Sequence, residues 1–164
     1  MRRNKLIILL CLMGLLSRCG IYSFSGSMAP HLKTVAVPLF NNRTVEYSIA
    51  EELTDLVIQE FTRDNSLKIA ERSDADVLIE GDIVRVEERA GAFDSQEQVQ
   101  DLKIYVTAKI KATDQVKRTV LWEERLTQWG SYDPSGGSDA RSDGILEAME
   151  KISTEILNKT VSGW

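Results

Sequence analysis

The sequence predicts an α+β fold, a two-layer sandwich in which two helices cover one face of a four-stranded sheet, in the order β-α-β-β-β-α. Three observations carry this. Residues 102–113 alternate strictly between apolar and polar side chains, the period of a half-buried strand. Two other stretches, 48–64 and 138–161, repeat apolar residues at helical spacing. Two amphipathic helices and several strands bury their apolar surfaces most simply as two packed layers.

The first strand is expected at Lys33 to Phe40, where Val35 and Val37 flank Ala36. Pro38 has no amide hydrogen and suits a strand end or an edge. Asn41 to Thr44 reads as a turn. Ser48 and Glu51 have the spacing of a capping box, and Ile49, Leu53, Leu56, Val57 and Phe61 form one apolar stripe behind it. Asp64 and Asn65 end that helix.

A long strand should run from Ala75 to about Arg89. Val77, Ile79 and Ile83 share one parity, whereas Val84 and Val86 take the other, which predicts a bulge near Ile83. Gly91 to Gln100 reads as a polar loop. In the following strand Leu102, Ile104, Val106, Ala108, Ile110 and Ala112 point to the core. Lys103, Tyr105, Thr107, Lys109, Lys111 and Thr113 point away from it. A turn at Asp114-Gln115 leads to a strand from Arg118 to about Tyr132. The loop Ser131 to Ser138 precedes the last helix, whose stripe is Ile145, Met149, Ile152 and Ile156.

The N-terminus reads as an export signal. Arg2, Arg3 and Lys5 precede an apolar run from Leu6 to Leu16, too short to span the ~30 Å hydrocarbon of a bilayer. Cys19 closes that run, as the acylated Cys of a bacterial lipoprotein would. Arg18 stands where a small residue is usual, so an ordinary signal peptide with a chance Cys is the alternative. Gly20 rather than Asp follows the Cys, which favours the outer membrane. The expected organisation is a signal at 1–18, a tether at 19–32 and a single domain at 33–164. There is no internal repeat and no second linker.

Composition excludes several functions. The chain has 20 basic and 25 acidic residues. Cleavage before Cys19 removes Arg2, Arg3, Lys5 and Arg18 and leaves a formal −9, against nucleic-acid binding. Cys11 lies in the signal, so Cys19 is alone in the mature chain and can form no internal disulfide. The only His, His31, lies in the tether and is expected to be solvated. One His and one Cys build neither a metal cluster nor a held nucleophile-base pair, and Gly136-Gly137-Ser138 lacks the Lys of a phosphate loop. No cofactor and no catalytic residue are expected. A binding surface remains: Lys103, Lys109 and Lys111 on the open side of their strand could hold an anion, or could serve as a solubilising face.

These blocks resemble a known family. Cys19-Gly20, Tyr22 to Ser27, Lys33 to Thr44, Glu51 to Thr54, Ala75 to Gly81, Val120 to Glu123 and the final helix are similar to the lipopolysaccharide-assembly lipoproteins of the LptE family. Ile21 is an insertion relative to that pattern. The resemblance implies a non-enzymatic outer-membrane lipoprotein, anchored by acyl chains on Cys19, with its domain facing the periplasm or inside a barrel lumen. It would plug and help assemble the LptD β-barrel and assist lipopolysaccharide delivery to the outer leaflet. It also makes lipopolysaccharide the anion to test at Lys103, Lys109 and Lys111. A Val-Ala-Val strand before a helix is also similar to export-pore lipoproteins and to activators of peptidoglycan synthases, which are the alternative reading.

Overall fold

The long central strands set the architecture of the computed structural model, which describes residues 29–91 and 101–162. β1 (Thr34–Ala36) and β2 (Asn41–Asn42) precede α1 (Ile49–Asp64). β3 (Lys68–Ile69), β4 (Val77–Ala90), β5 (Leu102–Asp114) and β6 (Thr119–Tyr132) follow. A 3₁₀ turn (Pro134–Gly136) leads into α2 (Gly137–Ser162). The sheet order is β3-β1-β4-β5-β6, with β2 also paired to β4. β4, β5 and β6 form an antiparallel meander. β1 lies parallel to β4, as a helical crossover between neighbouring strands requires.

The predicted fold class holds, with six strands in place of four. The expected first strand is two short pieces. β1 pairs with Val77 and Leu78, β2 pairs with Asp82 and Ile83, and the chain leaves the sheet between them. Phe40 fills the gap as a buried residue, and its backbone N–H donates to the Thr54 hydroxyl of α1 at 3.1 Å. β3 is only two residues long, too short to show alternation.

The core lies between the helices and one sheet face. Ile104, Val106, Ala108, Ile110 and Ala112 are all fully buried, as their parity requires. The β4 bulge falls between Ile83 and Arg85, where the parity switch placed it. In α1, Ile49, Leu53, Val57 and Phe61 are buried, whereas Leu56 is half-buried at the flank of the stripe. In α2, Ile145, Met149, Ile152 and Ile156 are buried.

The start of α1 differs from expectation. Ser48 is the N-cap, but it is left-handed (φ 60°) and its side chain makes no capping bond. The preceding loop is fixed by other contacts, so the backbone enters the helix from a conformation that no Ser–Glu box can close. At the other end Asn65 adopts the left-handed cap conformation (φ 58°), and its N–H bonds the Phe61 carbonyl.

α2 crosses β6 very closely, because glycines face each other. A methyl group on Gly130 would lie 2.0 Å from the Gly144 carbonyl oxygen. Beside this crossing, α2 reaches over the outer edge of β6. Glu147 accepts the Ser131 backbone N–H at 3.0 Å, and Lys151 donates to the Trp129 carbonyl at 2.8 Å.

Candidate functional site

The face of the sheet away from the helices is not covered by any described element. Register places its side chains in rows across β4, β5 and β6. The lower rows are Glu80-Lys111-Glu123 and Asp82-Lys109-Arg125. The upper rows are Arg85-Thr107-Thr127, Glu87-Tyr105-Trp129 and Arg89-Lys103-Ser131. Thr107 and Thr127 share a hydrogen bond of 3.1 Å in the middle.

The three predicted lysines share this face but not one environment. Lys109 pairs with Glu123 at 2.6 Å. That hydrogen bond and charge hold the Glu123 carboxyl below its ordinary pKa, with Lys111 adding a smaller attraction. Asp82, across from Lys109, is taken by Arg43 and Asn41, each at 3.0 Å. Lys103 instead lies over the Trp129 ring, 4.1 Å from its centroid. Lys151 approaches the same ring at 4.3 Å, and Arg89 lies 4.6 Å over Tyr105. The structure thus brings Lys109 and Lys111 together and leaves Lys103 about 20 Å along the strand from Lys109. Arg89 and Trp129 were missed as neighbours of Lys103. The parity of β4 after its bulge would have placed Arg89 there.

A second exposed feature is the loop before α1. Val45 is 89% exposed and Tyr47 96% exposed. The loop beneath them is tightly bonded. Asn42 donates to the Glu46 carbonyl at 2.6 Å and accepts from the Thr44 N–H and hydroxyl, both at 2.8 Å. Arg141 of α2 grips Glu46 with two bonds, of 2.6 and 3.0 Å, and reaches Glu88 at 2.6 Å. Tyr132 donates its hydroxyl to the other Glu88 oxygen at 3.0 Å. The Arg141 hydrogen bond is the main cause holding the Glu88 carboxyl below its usual pKa.

His31 is not solvated. Its Nε2 lies 2.7 Å from Oδ2 of the buried Asp114, and Leu32 beside it is buried. Burial pushes the Asp114 pKa up, but the bonds from the Lys117 N–H and from His31 outweigh it and the net shift is downward. The pair secures the chain's entry to the domain at the β5–β6 turn. Cys19, the predicted acylation site, lies outside the described residues. Among the described residues no group of His, Cys, Asp and Glu could hold a metal ion, and no helix is long and apolar enough to cross a membrane.

This two-layer fold is shared with other bacterial proteins. CT253 of Chlamydia trachomatis is 10% identical, with a TM-score of 0.56 over 78% of this chain and 95% of that one. PelC of Paraburkholderia phytofirmans, solved as a dodecamer, is 13% identical, with a TM-score of 0.56 over 82% and 93%. A Caulobacter crescentus protein named as a lipoprotein is 14% identical, with a TM-score of 0.50 over 74% and 86%. At these identities the likeness is one of fold, and it defines the class: a small α+β domain of the kind seen in bacterial lipoproteins. A search of curated protein sequences finds no match.

The family follows from the sequence match. The family described as LptE, lipopolysaccharide-assembly, matches residues 32–160, nearly the whole described domain. The chain belongs to this non-enzymatic lipopolysaccharide-assembly family.

Proposed function

We propose that this chain is an outer-membrane lipoprotein that sits in the lumen of the LptD β-barrel, helps assemble it and assists lipopolysaccharide delivery to the outer leaflet. The observation that carries the reading is the family match over residues 32–160. Residues 1–18 would be cleaved, acyl chains on Cys19 would hold the protein to the membrane, and residues 19–32 would tether the domain. Two or more buried acyl chains make a stable anchor.

The molecule's surface supports the plug. A barrel lumen is polar and water-lined, so a body with charged, mixed-sign rows can pack there. Val45 and Tyr47 offer apolar side chains on a loop already fixed by Asn42 and Arg141, so little order is lost on contact. Lys103, Lys109 and Lys111 are the candidate lipopolysaccharide contacts.

The test is co-purification from detergent-solubilised outer membranes, with depletion in cells. A stoichiometric complex with LptD is expected, together with loss of outer-leaflet lipopolysaccharide on depletion. Normal barrel assembly and normal lipopolysaccharide display in depleted cells would exclude the reading. The second reading, an export-pore subunit, draws on the fold shared with dodecameric PelC. It predicts a self-assembled ring by native mass spectrometry and no barrel partner. Capture of a peptidoglycan synthase would instead favour the activator.

A further inference from the structure

The chain enters the domain beside the β5–β6 turn. The described residues begin at Ala29, whose carbonyl accepts the Leu32 N–H at 2.9 Å. Between these two, His31 reaches Asp114, the last residue of β5. Cys19 and Ala29 are ten residues apart, a length that spans at most about 35 Å when fully extended. β5 alone has thirteen residues, about 40 Å of strand. An anchor at Cys19 therefore lets the turn end of the sheet reach a bilayer surface. A domain standing on its other end would carry Ala29 out of the anchor's reach.

The turn projects and is held in one shape. Asp114 and Thr119 are its last cross-strand pair. The Gln115 side chain donates to the Arg72 and Ala75 carbonyls, at 3.0 and 2.8 Å, and its backbone N–H donates to the Asp76 carbonyl at 2.7 Å. The Lys117 N–H donates to Oδ1 of Asp114 at 2.8 Å. Arg118 closes the turn in the left-handed conformation (φ 57°). Val116, at the tip, is 60% exposed, and Lys117 and Arg118 beside it are exposed too. Asp114 is the one carboxylate of the turn, and it faces inward onto His31 and the Lys117 N–H. The neighbouring turn carries two exposed acids, Glu71 and Asp74. An anionic surface repels them, which confines contact to the tip.

We infer that the Val116–Arg118 tip rests on anionic phospholipid headgroups of the leaflet that holds the Cys19 acyl chains, so that the β5–β6 turn faces this leaflet and the opposite end of the sheet points away from it. Val116 places its apolar surface among the headgroups while the two long cations keep their charges at the phosphates. Each basic residue near an anionic membrane strengthens binding about fivefold. Two of them are weak in free solution, but the anchor makes the encounter intramolecular and raises the effective concentration. The tip is already ordered, so little freedom is lost on contact. This inference rests on the acyl-anchor part of the proposed function and needs no barrel.

The experiment uses the mature acylated chain on vesicles of phosphatidylethanolamine and phosphatidylglycerol. With Cys19 acylated and Cys11 removed, an introduced Cys is the sole thiol. A bimane label is placed by Val116→Cys at the tip, or by Ser138→Cys at the other end of the domain. Quenching by headgroup spin-labelled lipid is then measured. The label at 116 should be strongly quenched and the label at 138 should not. Adding Lys117→Gln and Arg118→Asn should lower the ratio of docked to undocked tip by about twentyfold; Asn keeps the left-handed position. The quench at 116 should then fall to the level at 138. High salt or phosphatidylcholine vesicles should have the same effect. Circular dichroism verifies folding, and if the charge variant unfolds, Lys117→Gln alone serves, with a smaller loss expected.

Equal quenching at both positions, or stronger quenching at 138, would overturn the orientation. Undiminished quenching at 116 on phosphatidylcholine, or in the charge variant, would overturn the headgroup contact. An acylated chain whose 116 label stays unquenched would overturn this inference and leave the anchor standing. An intact mass showing an unmodified Cys19 would overturn the anchor and this inference together.

Discussion

Gly130→Ala should be among the most damaging single-methyl changes in this protein. Propensity alone predicts the opposite, because Ala in a strand is favoured over Gly by roughly 0.5–1 kcal/mol. The structure reverses the sign. The added carbon would sit 2.0 Å from the Gly144 carbonyl oxygen and 2.9 Å from Cβ of Glu147. The first obstacle is helix backbone, so no rotamer change relieves it. To reach even 3.0 Å, α2 must move about 1 Å away from β6. A radial gap of 0.5–1 Å forfeits roughly a quarter to a half of each dispersion contact, and Ile104 and Tyr132 pack at this crossing. Overpacking of this kind costs about 1–3 kcal/mol, and the upper end applies here. With a urea m-value of about 2 kcal/mol/M, the unfolding midpoint should fall by roughly 1–1.5 M. Gly144→Ala is the control: its nearest obstacle is a side-chain methyl of Ile104 at 3.1 Å, which can yield. A Gly130→Ala midpoint equal to or above that of the wild type would refute the close-crossing argument.

Other perturbations test other parts of the molecule. Leu53→Ala, at a fully buried position, should cost about 2–5 kcal/mol, and Leu56→Ala distinctly less; equal denaturation midpoints would mean the helix face is misassigned. Asp76, Asp114 and Glu88 all have folded pKa values below the ordinary range near 4. Their contribution is therefore complete above the unfolded pKa and is lost as pH falls through the folded values. The denaturation midpoint should hold from pH 7 to about 5 and drop below about 4, with a shallower drop in Asp114→Asn. Arg141→Gln should free the loop at 41–48 and cost about 1–2 kcal/mol, discounted for partial exposure. Chymotryptic cleavage after Tyr47 should quicken, and an unchanged rate would argue against the clamp. Cys19→Ala should leave a chain that is unprocessed or extractable by aqueous buffer, whereas an unmodified N-terminal mass for the wild-type mature protein would exclude acylation.

The legible parts of this fold are those with long, one-sided periodicity. β5 could be read residue by residue, because each apolar side chain from Ile104 to Ala112 is buried and each alternate one is not committed to the core. The β4 bulge was readable for the same reason, since Val84 and Val86 change parity against Ile79 and Ile83. Elements decided by tertiary contacts were not. β3 and β2 exist because neighbouring strands offer them partners, and two residues carry no period. Ser48 and Glu51 have the spacing of a capping box, yet the Asn42 and Arg141 contacts impose a different entry to α1. His31 looked solvated because its partner, Asp114, is 83 residues away. On the open face the Lys row was visible, but the pairing that neutralises Lys109 and leaves Lys103 over a ring depends on the register of three strands.

The reach of α2 across the border of β6 has a consequence for how the domain meets other chains. A fourteen-residue outer strand is a standing invitation to strand addition, by a stray copy or by a fibril. Glu147 and Lys151 already occupy the Ser131 amide and the Trp129 carbonyl that an incoming strand would need first. At the far border, β3 is only two residues long and offers little template. An incoming strand would therefore find the Ser131–Trp129 end of β6 already bonded to the helix that crosses it.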